Sequence, residues 1–361
     1  MRACLLRAGL SRARGCSEFV LGNPKAWLGT AYHHVLEKIG ESDFERETIG
    51  ASTDRLWNGA VDTLKRGADA HPLNRRFGAP ASWPGYYVAR ASAALRAQEL
   101  TADLILRRAN ANRAHTKASD VIREHKFTGF YGKLTGTPDI VRAGEIVDYK
   151  SGAVVEFDET TQRDLVKTAY VRQLRIYGYL VNDNLGWWPS RGIVLPPFGA
   201  GIEIPLDPAE CVLEATDAVT LLDNYNRQIE LPVAPELLAS PTVLSCRWCS
   251  YKMLCKGFWS AALPDWSGKI DGGAVEGTIS ESPHVVHGGA ARAVSIDVES
   301  GSEARGRVTI APLNPDVHPS VLTLAAGDRV RLVGLRSRRD GVLVPTPRTI
   351  LARARDLPTI Q

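Results

Sequence analysis

The sequence predicts an α/β core followed by a small all-β domain. Three observations predict it. Apolar residues recur at helical spacing over residues 1–120, strand-like runs alternate with helix between residues 126 and 206, and short alternating runs separated by turn residues follow residue 305. At 361 residues, 44% hydrophobic and 23% charged, the chain has apolar mass for a large core and length for a second small domain. A disulfide mini-protein and wholesale disorder are excluded.

In chain order, residues 1–40 read as helix, interrupted at Gly22-Asn23-Pro24 and resumed where Leu28, Tyr32, Val35 and Ile39 recur at spacings of three and four. Residues 1–15 carry Arg2, Arg7, Arg12 and Arg14 and no acid, a composition shared with mitochondrial presequences. Residues 53–120 are mostly helix, broken by the Pro- and Gly-rich stretch 71–85. Residues 127–141 and 146–150 read as strands joined by a short turn, 161–180 as helix, 192–195 and 202–206 as strands, and 208–228 as helix. Residues 265–303 are rich in Gly and Ser, with seven acids against Lys269 and Arg292, and read as a linker or mobile domain edge. Residues 305–310, 321–324, 329–335 and 341–344 then read as strands. The expected domains are 1–262, a linker at 263–304, and an Arg-dense β domain at 305–361 whose start could lie near 275.

The net charge of +4 is too small to identify a nucleic-acid partner by itself. No run approaches the ~18 consecutive apolar residues of a membrane span, and no GxxxxGK[ST] phosphate loop marks a motor. The uneven cysteine spacing indicates a reducing, cytoplasmic setting and a metal, not a disulfide framework.

The most informative segment is Gly136-Thr137-Pro138-Asp139 through Asp148-Tyr149-Lys150. A two-residue turn at Ala143-Gly144 sets Arg142 opposite Glu145 and Val141 opposite Ile146, and therefore Asp139 opposite Asp148. Directly opposed like charges destabilise a hairpin unless a cation lies between them. Strand alternation puts Lys150 on the face of Asp148. Two hard oxygen ligands suit Mg²⁺ or Mn²⁺ and metal-assisted phosphodiester hydrolysis.

Gly29-Thr30-Ala31-Tyr32-His33, Gly136-x-Pro138-Asp139, Asp148-Tyr149-Lys150 and Gln173-Leu174-Arg175-Ile176-Tyr177 occur in that order. With Cys246-x2-Cys249-x5-Cys255, the constellation resembles the RecB-like and Cas4-like branch of the PD-(D/E)XK nuclease superfamily, over residues 4–258. The resemblance implies a restriction-endonuclease-like core, a mixed sheet flanked by helices, in which His33, Asp139 and Asp148 ligate the metal, helped by the Tyr149 backbone carbonyl. It implies Lys150 as the catalytic lysine, with Gln173 and Tyr177, four apart on one helix face, positioning Lys150 and DNA. His34 is the neighbour that the spacing from Gly29 passes over. Glu37, one turn on from His33, is placed to orient its imidazole, and Glu124 is a further acid that could line the site.

The resemblance also implies a [4Fe–4S] cluster, with zinc as the alternative, held by Cys246, Cys249, Cys255 and a fourth cysteine near the N-terminus, Cys4 or Cys16. In the resembling nucleases such a cluster staples the ends of the nuclease domain. Cys211, in an apolar helical stretch, reads as a buried small residue. Arg329, Arg331, Arg336, Arg338, Arg339, Arg348, Arg353 and Arg355 crowd the last β segment, opposed within that span only by Asp340, and suggest an OB-like module contacting a DNA backbone. The expectation is a Mg²⁺- or Mn²⁺-dependent DNA nuclease, an exonuclease on single-stranded ends, serving repair, recombination or CRISPR-type processing beside a separate helicase or repair partner. The alternatives are an inactive nucleic-acid-binding scaffold of the same fold and an RNA-directed nuclease.

Overall fold

The computed structural model describes residues 4–41, 48–114, 121–142, 144–231, 234–286, 289–338 and 341–358. Helices α1 (Leu5–Leu10), α2 (Pro24–Glu41), α3 (Ile49–Ala70) and α4 (Tyr86–Ala114) come first. There follow β1 (Ile122–Arg123), β2 (Phe127–Gly129), β3 (Leu134–Gly136), β4 (Ile140–Arg142), β5 (Glu145–Tyr149), β6 (Val155–Asp158), β7 (Arg163–Val166), α5 (Thr168–Leu185), β8 (Arg191–Leu195), β9 (Ile202–Pro205) and α6 (Pro208–Glu230). Short helices α7 (Val243–Cys246) and α8 (Lys256–Ala261) lead to β10 (Gly273–Val285), β11 (Arg292–Gly301), β12 (Gly306–Leu313), β13 (Arg329–Ser337) and β14 (Val342–Arg353). Among the described residues no helix is long and apolar enough to cross a membrane.

The chain divides into two compact units, one of Asn23–Ala68 and Phe77–Asn224, the other of Met1–Gly22, Asp69–Arg76 and Tyr225–Gln361. In the first, a mixed sheet runs β1-β4-β5-β8-β9, antiparallel except where β5 meets β8. Every residue of β5 is buried because both faces of the sheet are covered. Val147 and Tyr149 pack with Tyr32, Val35 and Ile39 of α2 in one core cluster. Ile146, on the opposite face, packs with Leu174, Leu180 and Val181 of α5 in another. Each such buried aliphatic side chain contributes about 1.5–3 kcal/mol, and the period-two alternation of β5 thereby fixes which way Asp148 points. The helix expected over 161–180 begins only at Thr168, because 155–166 forms the solvent-facing ribbon β6–β7.

In the second unit β10–β14 close into a barrel of order β10-β11-β12-β14-β13, with β12 and β14 parallel and the other pairs antiparallel. Val275, Ile279, Ile296, Ile310 and Leu332 fill it. The expected linker at 263–304 is thus corrected: it holds β10 and β11, and the barrel starts close to the alternative boundary near 275. Two of its glycines serve tight backbone contact. A Cβ at Gly301, where φ is +120°, would lie 2.2 Å from the carbonyl oxygen of Ala274, and one at Gly277 2.2 Å from that of Asp297. The strand expected over 321–324 is instead a 3-10 turn, Pro319–Thr323, opened by a proline at its first position. A second core in this unit joins Leu6 and Leu10 of α1 to Cys246, Met253, Phe258 and Trp259 and to Ala274, Val333 and Ile350 of the barrel.

His318 is buried in this unit beside Arg76, whose guanidinium donates to the Thr349 and Val317 carbonyls. Burial, then the Arg76 charge, lowers the imidazole to about 4 from its ordinary 6.5. Protonation therefore favours the unfolded chain, so this contribution is whole above pH 6.5 and is lost as pH falls through 4. Melting curves should show the wild type losing stability relative to His318→Gln across that window, by at most about 3 kcal/mol. Parallel pH profiles for the two proteins would contradict this.

Candidate active site

The pairing that builds the site is Arg142 with Glu145, Val141 with Ile146 and Ile140 with Val147. It is the register that a turn at Ala143-Gly144 demands; Gly144 takes φ +80°, and Ala143 lies outside the described residues. Glu145 is buried and held by Arg142 and by Arg191 at 2.7 Å, which pins the register from its far end. One step beyond the ladder, Asp139 and Asp148 stand at the same level, 7% and 4% exposed.

Each carboxylate has found a different neighbour. Asp139 accepts from the Tyr149 amide N–H, and its Oδ1 lies 3.4 Å from His33 Nδ1. Asp148 Oδ2 meets the Lys150 ammonium but accepts no properly directed hydrogen bond. Burial, reinforced by the charge of Asp139, pushes Asp148 up to about 6, against the opposite pull of Lys150. Lys150 Nζ also donates to Gln173 Oε1 at 2.7 Å and lies 4.6 Å from the Tyr170 ring centroid. Gln173 Nε2 in turn donates to the Tyr177 hydroxyl at 2.8 Å, joining the two α5 residues expected to share a face.

Two glycines let the helices approach. A Cβ on Gly29 would stand 2.6 Å from Ser151 Oγ, so α2 comes down beside the end of β5 and delivers His33 one turn later. A Cβ on Gly136 would stand 2.7 Å from the Tyr177 ring and 2.9 Å from Leu180. His33 and His34 both line an open cleft of about 540 Å³ with Gly29, Thr30 and Glu37. Of the two, His33 faces Asp139. Glu37 makes its ion pair with Lys38, not with the imidazole.

Glu124 proves more central than its sequence position indicates. Its backbone takes φ +43°, a left-handed conformation costly for a side chain other than glycine, and its amide donates to the Asp139 carbonyl at 3.2 Å. Burial, then the charge of Asp139 and a hydrogen bond to it, pushes the Glu124 carboxyl up to about 8, with Glu37 and Asp148 adding to the shift. Tyr170 also escaped the sequence reading; nothing in the spacing marks it as the ring over Lys150.

The donors fit a divalent cation in kind: two buried carboxylates, one with an oxygen lacking a hydrogen bond, and an imidazole, surrounded by acids that repel one another. As the side chains stand, no three His, Cys, Asp or Glu among the described residues are gathered closely enough to hold a metal ion. The amide of Tyr149 and the ammonium of Lys150 engage the oxygens instead.

In the other unit, Cys246 ends α7, Cys255 caps α8 and accepts from Phe258 N at 3.3 Å, and no cysteine is in a disulfide. Burial raises the Cys246 and Cys249 thiols and pushes Cys255 up to about 11; the nearby Cys4 adds to the rise at all three. Cys16 is buried in the adjacent turn, and its influence reaches Tyr251. Cys211 is buried, as expected, with its sulfur 2.9 Å from where a Cβ on Gly178 would stand.

Several arginines of the expected face have acidic partners. Acids from the segment read as a linker lie on the neighbouring strands, with Glu276 directly across from Arg331. Arg331 is 13% exposed and pairs with Glu276 at 3.0 Å, while Arg329 pairs with Glu299 at 3.0 Å. Arg348 pairs with Asp271 at 2.8 Å, and Arg353 and Arg355 face Asp328 at 3.2 and 3.8 Å. Arg336 is exposed. Arg338 has a partner of its own, and Arg339 and Asp340 lie outside the described residues.

Compared with known proteins, residues 1–256 match the profile of the PD-(D/E)XK nuclease superfamily. No curated protein matches. A crystal structure from Eubacterium rectale, of a candidate exonuclease, is similar at 14% identity over 52% of this chain and 68% of that one. Its TM-score of 0.27 is too low for the likeness to carry any argument.

Because Gly136 has no room for a side chain, Gly136→Ala should lower stability by about 1–3 kcal/mol and disturb the Tyr177–Gln173–Lys150 chain. Thermal melting against the wild type tests this; an unchanged midpoint would mean that α5 does not lie on β3 as described.

Proposed function

The chain belongs to the PD-(D/E)XK nuclease superfamily, and we propose that it is a Mg²⁺- or Mn²⁺-dependent deoxyribonuclease of the RecB-like, Cas4-like branch that acts on single-stranded DNA ends. The observation that carries the proposal is the buried pair Asp139 and Asp148 at the end of a pinned hairpin, with Lys150 tethered beside it to Gln173. A scaffold gains nothing from two acids forced together in this way.

His33, Asp139 and Asp148, with the Tyr149 carbonyl, would hold the cation. When bound, it supplies Lewis-acid polarisation of the phosphate and a more acidic water. Lys150, beside Asp148 and donating to Gln173, would be placed to stabilise charge developing on a phosphate oxygen. Tyr177 fixes the Gln173 amide by accepting from its nitrogen, so that the amide oxygen faces the lysine. The low exposure of both aspartates strengthens each of these interactions relative to water.

In the same reading Cys4, Cys246, Cys249 and Cys255 hold a [4Fe–4S] cluster, with zinc as the alternative. The influence of Cys4 on all three other thiols supports it over Cys16 as the fourth ligand. The cluster acts as a staple between residue 4 and residues 246–255. The strand order of the barrel, with its first strand beside its fourth and its third parallel to its fifth, supports an OB-like module. Arg329, Arg331, Arg336, Arg338 and Arg339 would touch the DNA backbone through salt-sensitive contacts, Arg329 and Arg331 while also pairing with the barrel's acids. We place this activity in the cytoplasm, in repair, recombination or CRISPR-type processing, beside a separate helicase or repair partner.

Anaerobically purified protein should cleave labelled single-stranded DNA with Mg²⁺ or Mn²⁺ and not with EDTA. Asp148→Asn and Lys150→Ala should each lose roughly 100- to 1,000-fold in rate while still binding the strand. Equal inertness of all three, with DNA still bound, would leave a binding protein; cleavage of RNA alone would redirect the substrate. Visible absorbance should disappear in Cys4→Ser and persist in Cys16→Ser, whereas a colourless, zinc-containing wild type would contradict the iron–sulfur assignment.

A further inference from the structure

β2 and β3 form a hairpin, Phe127 opposite Gly136 and Gly129 opposite Leu134, whose base adjoins the active site and whose tip is Phe130-Tyr131-Gly132-Lys133. Gly136 at the base lies against Tyr177, and three residues later the chain reaches Asp139. A cleft of about 430 Å³ runs between β3 and α5 past Arg172 to Gln173 and Tyr177. Leu134, Thr135 and Gly136 of the hairpin and Gln173 and Tyr177 of the chain that reaches Lys150 therefore line one cleft.

The tip is built against the preferences of its own residues. Phe130, Tyr131 and Gly132 take φ +50°, +56° and +84°, three left-handed residues in succession, and two of them bear aromatic side chains. The turn is nonetheless anchored. Phe130 stacks on Tyr179 of α5 with ring centroids 4.9 Å apart and planes at 19°. Lys133 pairs with Asp223 at 2.8 Å, Asn184 donates to the Thr128 carbonyl at 2.8 Å, and the Gly132 and Lys133 amides close the turn onto Gly129 and Phe130.

What this anchoring presents is a single ring. Tyr131 is fully exposed, at 108%, and makes no ring contact among the described residues. Glycine at this position would satisfy the backbone better and remove a bare aromatic surface. The fold does not need the ring, so its use lies in a molecule outside the chain.

We propose that Tyr131 is a stacking platform for a nucleobase of the substrate strand, held by the β2–β3 hairpin whose strand β3 lines the cleft reaching Gln173 and Tyr177. The inference rests on the nuclease reading and extends it: the strand is gripped through an unpaired base as well as through its phosphates. An aromatic face accepts any base, so the grip is indifferent to sequence but requires a base that has left its duplex stack. The hairpin therefore favours single-stranded over fully paired DNA near the cut. Lys133 spends its charge on Asp223 and leaves the ring as the chief feature of the tip.

The test uses the full chain in EDTA, where no cleavage occurs, with fluorescein-labelled oligothymidylate and the same strand carrying abasic residues, read by anisotropy. Tyr131→Gly should bind oligothymidylate roughly 5- to 100-fold more weakly than wild type, with an unchanged dependence on salt, and should melt at a higher temperature because the left-handed turn is relieved. Tyr131→Trp should restore binding. On the abasic strand, wild type and Tyr131→Gly should bind alike. If the wild type binds and cleaves DNA but Tyr131→Gly holds oligothymidylate equally well, the platform is refuted and the nuclease stands; a tip that serves a protein partner would give this result. If the wild type neither binds nor cleaves any strand, the nuclease reading falls, and the platform with it.

Discussion

The site depends on one constraint, the pairing of Arg142 with Glu145 across the turn of the β4–β5 hairpin. Strand geometry then leaves Asp139 and Asp148 no choice but to share a level and a face, in a sheet whose two sides are already packed. Two ionised carboxylates in such a place repel strongly, and the neighbourhood responds. An amide points at Asp139, an ammonium presses on Asp148, and Glu124 next to them holds its proton well above the ordinary carboxylate range. The first two answer the charge of the acids, while at Glu124 burial is the larger cause and the charge of Asp139 adds to it. Each compensates negative charge that the backbone register imposes, and a divalent cation would compensate it more completely.

Close backbone approach is the second requirement, because the acids alone do not make a site. Gly29 and Gly136 occupy the points where α2 and α5 meet the ends of β5 and β3, with no space for a Cβ at either. They bring the imidazole to one side of the acids and the Lys150–Gln173–Tyr177 chain to the other. In the barrel, Gly277 and Gly301 serve a similar purpose for strands crossing at short range. At these four positions glycine marks contact and not freedom.

That difference explains what was legible in the sequence and what was not. The hairpin register followed from a two-residue turn, a matter of local geometry, and helical period put Gln173 and Tyr177 on one face, whereas His33 and the roles of that pair came from the resemblance of their motifs to the nuclease family. The first two barrel strands were hidden because Gly and Ser, with scattered acids, resemble a linker until their partners β12 and β13 are known. The arginines read as a free positive face for the same reason: Glu276 and Glu299 meet them only across strands far apart in sequence. Glu124 was weakly signalled, since its left-handed backbone and its reach to Asp139 leave no periodic trace.

Titration calorimetry with Mn²⁺ at neutral pH tests most directly the claim that the opposed acids are a cation site. Wild-type protein should bind the ion saturably, and Asp148→Asn, which keeps the shape but removes one of the two charges, should lose that binding. Indistinguishable heats from the two proteins would contradict the account, whatever nucleic acid the chain is later found to cut.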